Sequence, residues 1–241
     1  MDALANAASA AAGWSSGRVA AVYFENEASG VDRIGASGAT VALVPLPFYL
    51  AHQRELRLTP RLQAVLKDGT ETETWTLVAK KGRVRGPASL AGFTIASLAA
   101  YNPGFVRHVA LGGWGAVPDD VTFVHTGQVL SALRKAASGE NVAVLLDGAQ
   151  AASLPSLPFA GELEVVATSP AVAANVVCSV GISVGPIDSK RLFAGLRELH
   201  KSASGAVALE GVRLARFVPV DEKGIASARA AYTAGAKSAA K

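Results

Sequence analysis

At 241 residues, half of them apolar, the chain can bury one large core or two smaller ones. Charged residues are 17% of the total and the net charge of +4 comes from scattered Lys and Arg, with no run that could track a phosphate backbone, which argues against nucleic acid as a partner. No stretch is long and apolar enough to insert in a bilayer, and one cysteine, Cys178, excludes an internal disulfide.

Taken in order, Asp2 to Trp14 is alanine-rich and predicts a helix ending at Gly13 to Gly17. Arg18 to Phe24 predicts a strand, Glu27 to Gly35 a short helix, and Thr40 to Val44 another strand. Pro45 and Pro47 stop that strand and open a helix through Glu55, because proline is tolerated in a first helical turn. Arg61 to Leu66 and Trp75 to Lys80 read as two strands joined across the turn Asp68-Gly-Thr70. Lys81 to Pro87, basic with glycine and proline, marks the first candidate hinge.

The segment from 94 to 148 organises the rest. Its runs Thr94 to Ser97, Val121 to His125 and Val142 to Asp147 are too short for helices and lack strict alternation, which suits parallel strands buried on both faces. Together they predict a β-α-β-α-β unit, with ligand positions just past the strand ends, at Ala99 to Gly104, His125 to Gln128 and Asp147 to Gln150. A proline-broken link at Leu154 to Pro158 leads to the strand Leu163 to Thr168, and 169–178 makes the second candidate crossing. Asp188 is placed as the cap of a helix through His200; a helix at Gly205 to Glu210, a strand at Arg213 to Val220 and a tail helix from Lys223 complete the chain. The expected organisation is bilobal α/β: residues 1–80 with 179–241 as one lobe and 81–178 as the other, with a solute cleft between them.

Enzymatic signals are thin. Gly181-Ile-Ser-Val-Gly185 matches the nucleophile elbow G-x-S-x-G, but acid and base would have to come from Asp188 and His200 on the segment immediately following, so a serine hydrolase stands as the weaker alternative to a plain glycine turn. The histidines His52, His108, His125 and His200 have no metal-ligand spacing, so no metal and no cofactor are expected, and each reads as a surface or helix-end residue. Cys178 reads as a small buried hydrophobe. Asp147 ends a buried strand before a glycine and either caps the next helix or binds a cationic or hydroxyl group. Tyr49 and Tyr101, at strand-to-helix turns, either pack in the core or line a pocket.

The order of these segments resembles the phosphonate-binding-protein-like branch of the type II periplasmic solute-binding proteins. Val41 to Ala51 is similar to that family's strand, proline and aromatic segment, Trp75 to Lys81 to its first hinge strand, and Ser89 to Ala96 to its entry into the second lobe. Ser131 to Asp147 is similar to its helix, glycine turn and strand ending in aspartate, and Arg216 to Asp221 to the strand closing the first lobe. The resemblance implies a solute-binding protein of an ABC importer, located outside the cytoplasm, with a permease as partner and a small polar or anionic, phosphate- or phosphonate-like solute. The implied contacts are Pro45, Tyr49, Tyr101, Asn102, Gly104, Gln128 and Asp147. Asn102 and Pro103 stand where phosphonate binders carry serine and threonine, and Gln128 where they tend to carry histidine.

Met1 begins where that family's first helix begins, so its opening strand and an export signal are expected upstream; Met1-Asp-Ala-Leu-Ala-Asn itself is not a signal peptide. The rivals are an enzyme on the same bilobal fold, as in the menaquinone pathway, and the effector domain of a transcription regulator, which needs a DNA-binding segment upstream.

Overall fold

The computed structural model describes residues 1–36, 38–181 and 186–238. The chain divides into two compact units, Met1–Thr72 with Ala173–Ile225, and Glu73–Val172 with Ala226–Lys241. The chain passes between them after Thr72, Val172 and Ile225, so the boundaries expected at Lys80 and Cys178 are displaced. The reason is sheet membership, since strand pairing and not composition decides which core a segment joins.

In chain order, α1 (Asp2–Ala11) and α2 (Glu27–Ala36) precede β1 (Val41–Pro45), α3 (Leu46–His52), β2 (Leu58–Leu66) and the short β3 (Thr72–Glu73). Then follow β4 (Thr76–Lys80), β5 (Thr94–Ser97), a helical turn α4 (Pro103–Phe105) that runs on as a π-helix over Val106–Ala110, and β6 (Thr122–His125). After these come α5 (Val129–Ser138), β7 (Val142–Leu146), α6 (Gly148–Ser153), β8 (Leu163–Thr168), β9 (Val172–Ala173) and β10 (Asn175–Val180). The chain ends with α7 (Pro186–Glu198), α8 (Ala203–Gly211), β11 (Leu214–Pro219) and α9 (Glu222–Ser238). β3 and β9 form a two-stranded ladder.

The first unit is built on the sheet β1-β10-β2-β11, every neighbour antiparallel. Its core gathers Ala8 of α1 and Ala12 just after it, Leu62 and Ala64 of β2, Val177 of β10, and Leu192, Leu209 and Phe217. Cys178 lies within this sheet with no exposed surface, and burial pushes its thiol up to about 12 against the milder pull of Arg61, so it is an inert small hydrophobe. Two expectations fail here. Arg18 to Phe24 forms no strand: the Val19 N–H is taken by Ser9 Oγ at 3.1 Å, and Val22 and Tyr23 are 60% and 67% exposed. β2 and β4 do not pair with each other either. The turn between them forms, with Asp68 Oδ1 accepting the Thr70 N–H at 3.0 Å, but β2 pairs with β10 and β11 while β4 enters the other sheet.

The second unit holds the sheet β6-β5-β7-β4-β8. β5 pairs in parallel with β6 and β7, as the β-α-β-α-β reading requires, and β4 runs antiparallel between β7 and β8. Val78, Ala96, Val144 and Leu146 pack against Leu133 and Ala136 of α5. That helix ends at Gly139, whose φ of 97° supplies the left-handed turn. Lys80 Nζ donates to Ala137 O at 3.0 Å and an Arg83 guanidinium nitrogen to Gly139 O at 2.9 Å. Lys80 and Arg83, of the basic stretch, thus place their charges on the carboxyl end of α5, where the helix dipole favours them. Asp188, expected as a cap, lies inside the first turn of α7. Ile182 to Gly185, the body of the G-x-S-x-G match, lies outside the described residues.

Candidate functional site

Parallel pairing sets the carboxyl ends of β5 and β6 level, Ser97 opposite His125, with β7 in register beside them. Because β4 runs the other way, its start is brought to the same rim, Thr76 opposite Leu146. The rim therefore collects the segments after β5, β6 and β7 together with Glu73 and Trp75, which precede β4. Ser97, fully buried, organises it: its Oγ accepts the Ala99 N–H at 3.1 Å, and its carbonyl accepts the Thr126 N–H at 3.1 Å.

Five of the expected site residues lie on this rim. Tyr101 is half-buried and meets His125 edge to face, with ring centroids 5.5 Å apart. Asn102 is 5% exposed, and its Oδ1 accepts the Phe105 N–H at 3.1 Å, so part of its hydrogen-bonding capacity is spent starting α4. Gly104 sits one residue inside that turn. Gln128 is exposed at the start of α5, with its N–H donated to Thr126 Oγ1 at 3.0 Å. Asp147 forms a capping box: Oδ1 accepts the Gln150 N–H at 2.8 Å, and the Asp147 N–H is donated to Gln150 Oε1 at 3.2 Å.

Pro45 and Tyr49 belong to the first unit. Pro45 is exposed as the residue before α3, and Tyr49 is 1% exposed, among the largest fully buried side chains. Within its unit Tyr49 is a core residue.

The strongest electrostatic feature is one that the sequence analysis missed. Glu73 has its carboxyl pushed up to about 7, chiefly by burial and next by the charge of Asp147. The Gly148 N–H and the indole of Trp75 partly oppose that rise. Trp75 is 5% exposed and its Nε1–H has no hydrogen-bond partner of ordinary length, while its backbone exchanges hydrogen bonds with Ser169, both at 2.8 Å. Its ring packs edge-on against Phe105, centroids 5.3 Å apart. Glu73 stands in a run, Glu71-Thr-Glu73, that reads as a polar turn. Its approach to Asp147 follows from the antiparallel entry of β4, which no local signal announces. His125, exposed at the end of β6, opens the segment His125 to Gln128 that was expected to lie past a strand end.

The segments Ser97–Gly104, 125–128 and 147–150 contain no Lys or Arg. They offer hydroxyls, amides, imidazole and aromatic edges, with a carboxylate at one side. Among the described residues no group of His, Cys, Asp and Glu is arranged to hold a metal ion.

No family model matches the sequence, and comparison with curated proteins finds no match. Solved structures do match in fold. A Xanthomonas citri protein bound to ATP superposes with a TM-score of 0.76 at 12% identity, over 98% of this chain and 93% of that one. A binding protein component of an ABC phosphonate transporter from Pseudomonas aeruginosa matches with a TM-score of 0.67 at 13% identity, over 97% of this chain and 80% of that one. A Prochlorococcus marinus protein in complex with methylphosphonate matches with a TM-score of 0.61 at 13% identity, over 92% and 87%. At such identities the likeness is one of fold: the chain has the α/β architecture of the type II periplasmic solute-binding proteins.

Proposed function

We propose that this chain is a solute-binding protein without catalytic activity, which hands a small polar solute to the permease of an ATP-driven importer outside the cytoplasm. One observation carries the reading: the likeness to binding proteins runs over nearly the whole chain, including a transporter component and a methylphosphonate complex. The rim of the second unit supports it, because Tyr101, Asn102, Gly104, Gln128 and Asp147 fall together there, as a recognition surface needs. No helix among the described residues is long and apolar enough to cross a membrane.

The rim also bears on the solute. Without Lys or Arg in its strand-end segments, a phosphonate-like head would be held by amides, hydroxyls and the imidazole of His125, and Asp147 would repel it at short range. A solute carrying a hydroxyl or a positive group beside Asp147 fits better than a bare dianion. Thermal unfolding with methylphosphonate, phosphate, ATP, amino acids and polyols tests the proposal. A solute at about 100 times its Kd stabilises the folded chain by about 2.7 kcal/mol, an increase in Tm of several degrees. A full panel without any shift overturns the reading.

The pairing of Glu73 with Asp147 favours one second reading, an enzyme on the same fold. A buried carboxyl raised to about 7 beside a second carboxyl is usual equipment for acid–base chemistry, and Glu73 is poised as a base. Turnover of a bound solute that disappears in Glu73→Gln while binding survives selects this reading over simple transport.

A further inference from the structure

We infer that the last turns of α9 are a positioning element for the solute turn, through Tyr232 seated on Gly104 and His108 seated on Gly235. The inference rests on reading the turn at 101–104 as part of the solute site.

The contacts are reciprocal. A methyl group on Gly104 would stand 2.8 Å from Cε2 of Tyr232 and 3.4 Å from Asn102 Oδ1, so the tyrosine ring lies directly on the backbone of the turn. A methyl group on Gly235 would overlap the ring of His108. Gly104 and His108 are four residues apart and Tyr232 and Gly235 three apart, spacings that put each pair on one face of its helix. Each helix thus contributes one ring and one gap, and the two rings pass in opposite senses between the backbones. Neither glycine is required by a left-handed φ; the close approach of a ring is what requires it.

The surroundings keep this interlock rigid and near the site. The π-helix starts directly after α4, and such widened turns often mark functional segments. Burial, and next the charge of Arg107, lower the basicity of His108, so a neutral ring meets α9. Arg107 itself is tied down, donating to Val117 O at 2.7 Å and Pro118 O at 3.0 Å with its guanidinium 4.8 Å from the Phe123 ring centroid. The turn is therefore held from one side by the ends of β5 and β6 and from the other by α9. Tyr232 is a positioning residue: it acts on the solute through Tyr101 and Asn102.

The test pairs amide exchange with titration of methylphosphonate as the probe solute. Tyr232→Ala is expected to raise exchange at 101–110 by about tenfold, leaving β5, β6 and β7 as they were. It is also expected to weaken methylphosphonate binding by about tenfold, as loss of preorganisation does. Tyr232→Phe should restore both. Gly104→Ala should weaken binding in the wild-type background and be tolerated in Tyr232→Ala, where the ring is gone. Exchange and affinity both within about twofold of wild type in Tyr232→Ala overturn the inference, as does uniform loosening of the whole unit. Wild-type protein that ignores methylphosphonate removes that solute from the proposed function and leaves exchange to decide the positioning role.

Discussion

In the second unit's sheet three strands, β6-β5-β7, run parallel, whereas every neighbouring pair in the first unit's sheet is antiparallel. Parallel strands must deliver all their carboxyl ends to one rim, so the loops that follow are gathered without further instruction. That is how Tyr101, Gln128 and Asp147 come to share an edge. Antiparallel neighbours send successive ends in opposite directions and disperse such residues, so the first unit supplies packed core at Tyr49 and not a ready-made rim. Burial, by contrast, follows position within each sheet: the interior strands β7 and β10 are covered on both faces, whereas Val124 on the edge strand β6 and Leu43 on the edge strand β1 are each 41% exposed.

The sharpest way to break this comparison is to cut into each sheet at one residue. Ile95, fully buried in β5, should cost about 2–5 kcal/mol when changed to Ala, the range for a core side chain whose cavity cannot fully collapse. Leu43→Ala, on the edge strand β1, should cost under about 1 kcal/mol, since much of that side chain is already in water. Urea unfolding of both variants decides it; equal losses would mean that an interior strand such as β5 has no advantage over an edge strand such as β1.

Next in size is the buried acid at the rim. Glu73 holds its proton up to about 7 in the folded chain, against a reference value of 4.5, so the folded state binds protons more tightly than the unfolded state. Its contribution is fully present below 4.5 and is lost as pH rises through 7. Glu73→Gln should therefore be more stable than wild type by about 2–3 kcal/mol at about pH 8, with the gap closing toward acid pH. Melting curves across that range measure the gap. A constant offset would show that Glu73 titrates as an ordinary surface carboxyl.

The smaller effect of Asp147 separates its two roles. Asp147→Ala removes the cap of α6, at about 1 kcal/mol, but also relieves Glu73 of a neighbouring charge. The net loss should be greater near pH 5, where Glu73 is protonated in either protein, than near about pH 8, where the relief offsets the cap. Asp147→Asn keeps the cap and should show the relief alone. A loss independent of pH in both variants would separate the two carboxyls.

What the sequence made legible follows the same division. β5, β6 and β7 are consecutive strands and each is a compact apolar run, so their parallel pairing could be read from local pattern together with connections long enough for a helical crossover. The proline turn before α3, the glycine end of α5 and the cap at Asp147 were readable because each is set by the chemistry of a few adjacent residues. The partners of β2 were not: it pairs with β10 and β11, over a hundred residues away in sequence, and nothing in Arg61 to Leu66 distinguishes those neighbours from β4. The contacts of Lys80 and Arg83 with the end of α5 were not legible either, because a basic glycine-containing stretch has the same composition whether or not a helix end receives its charges. Glu73 and Tyr232 were missed because their significance lies in contacts, with Asp147 and Gly104, that only the assembled unit creates.

The smallest expected effect concerns Val22 and Tyr23, whose apolar, strand-forming character carried the failed expectation of a strand. Being 60% and 67% exposed and lying in no sheet, they contribute little to the first unit's core. Val22→Ser with Tyr23→Ser should change stability by no more than about 0.5 kcal/mol, as for surface sites away from caps and cores. The control lies a few residues back, where Ser9, fully buried, accepts the Val19 N–H. Ser9→Ala leaves that donor without its partner and should cost about 1 kcal/mol or more. If the serine pair at 22 and 23 proves the costlier change, the segment packs as a strand in solution, and the first sheet extends beyond β1.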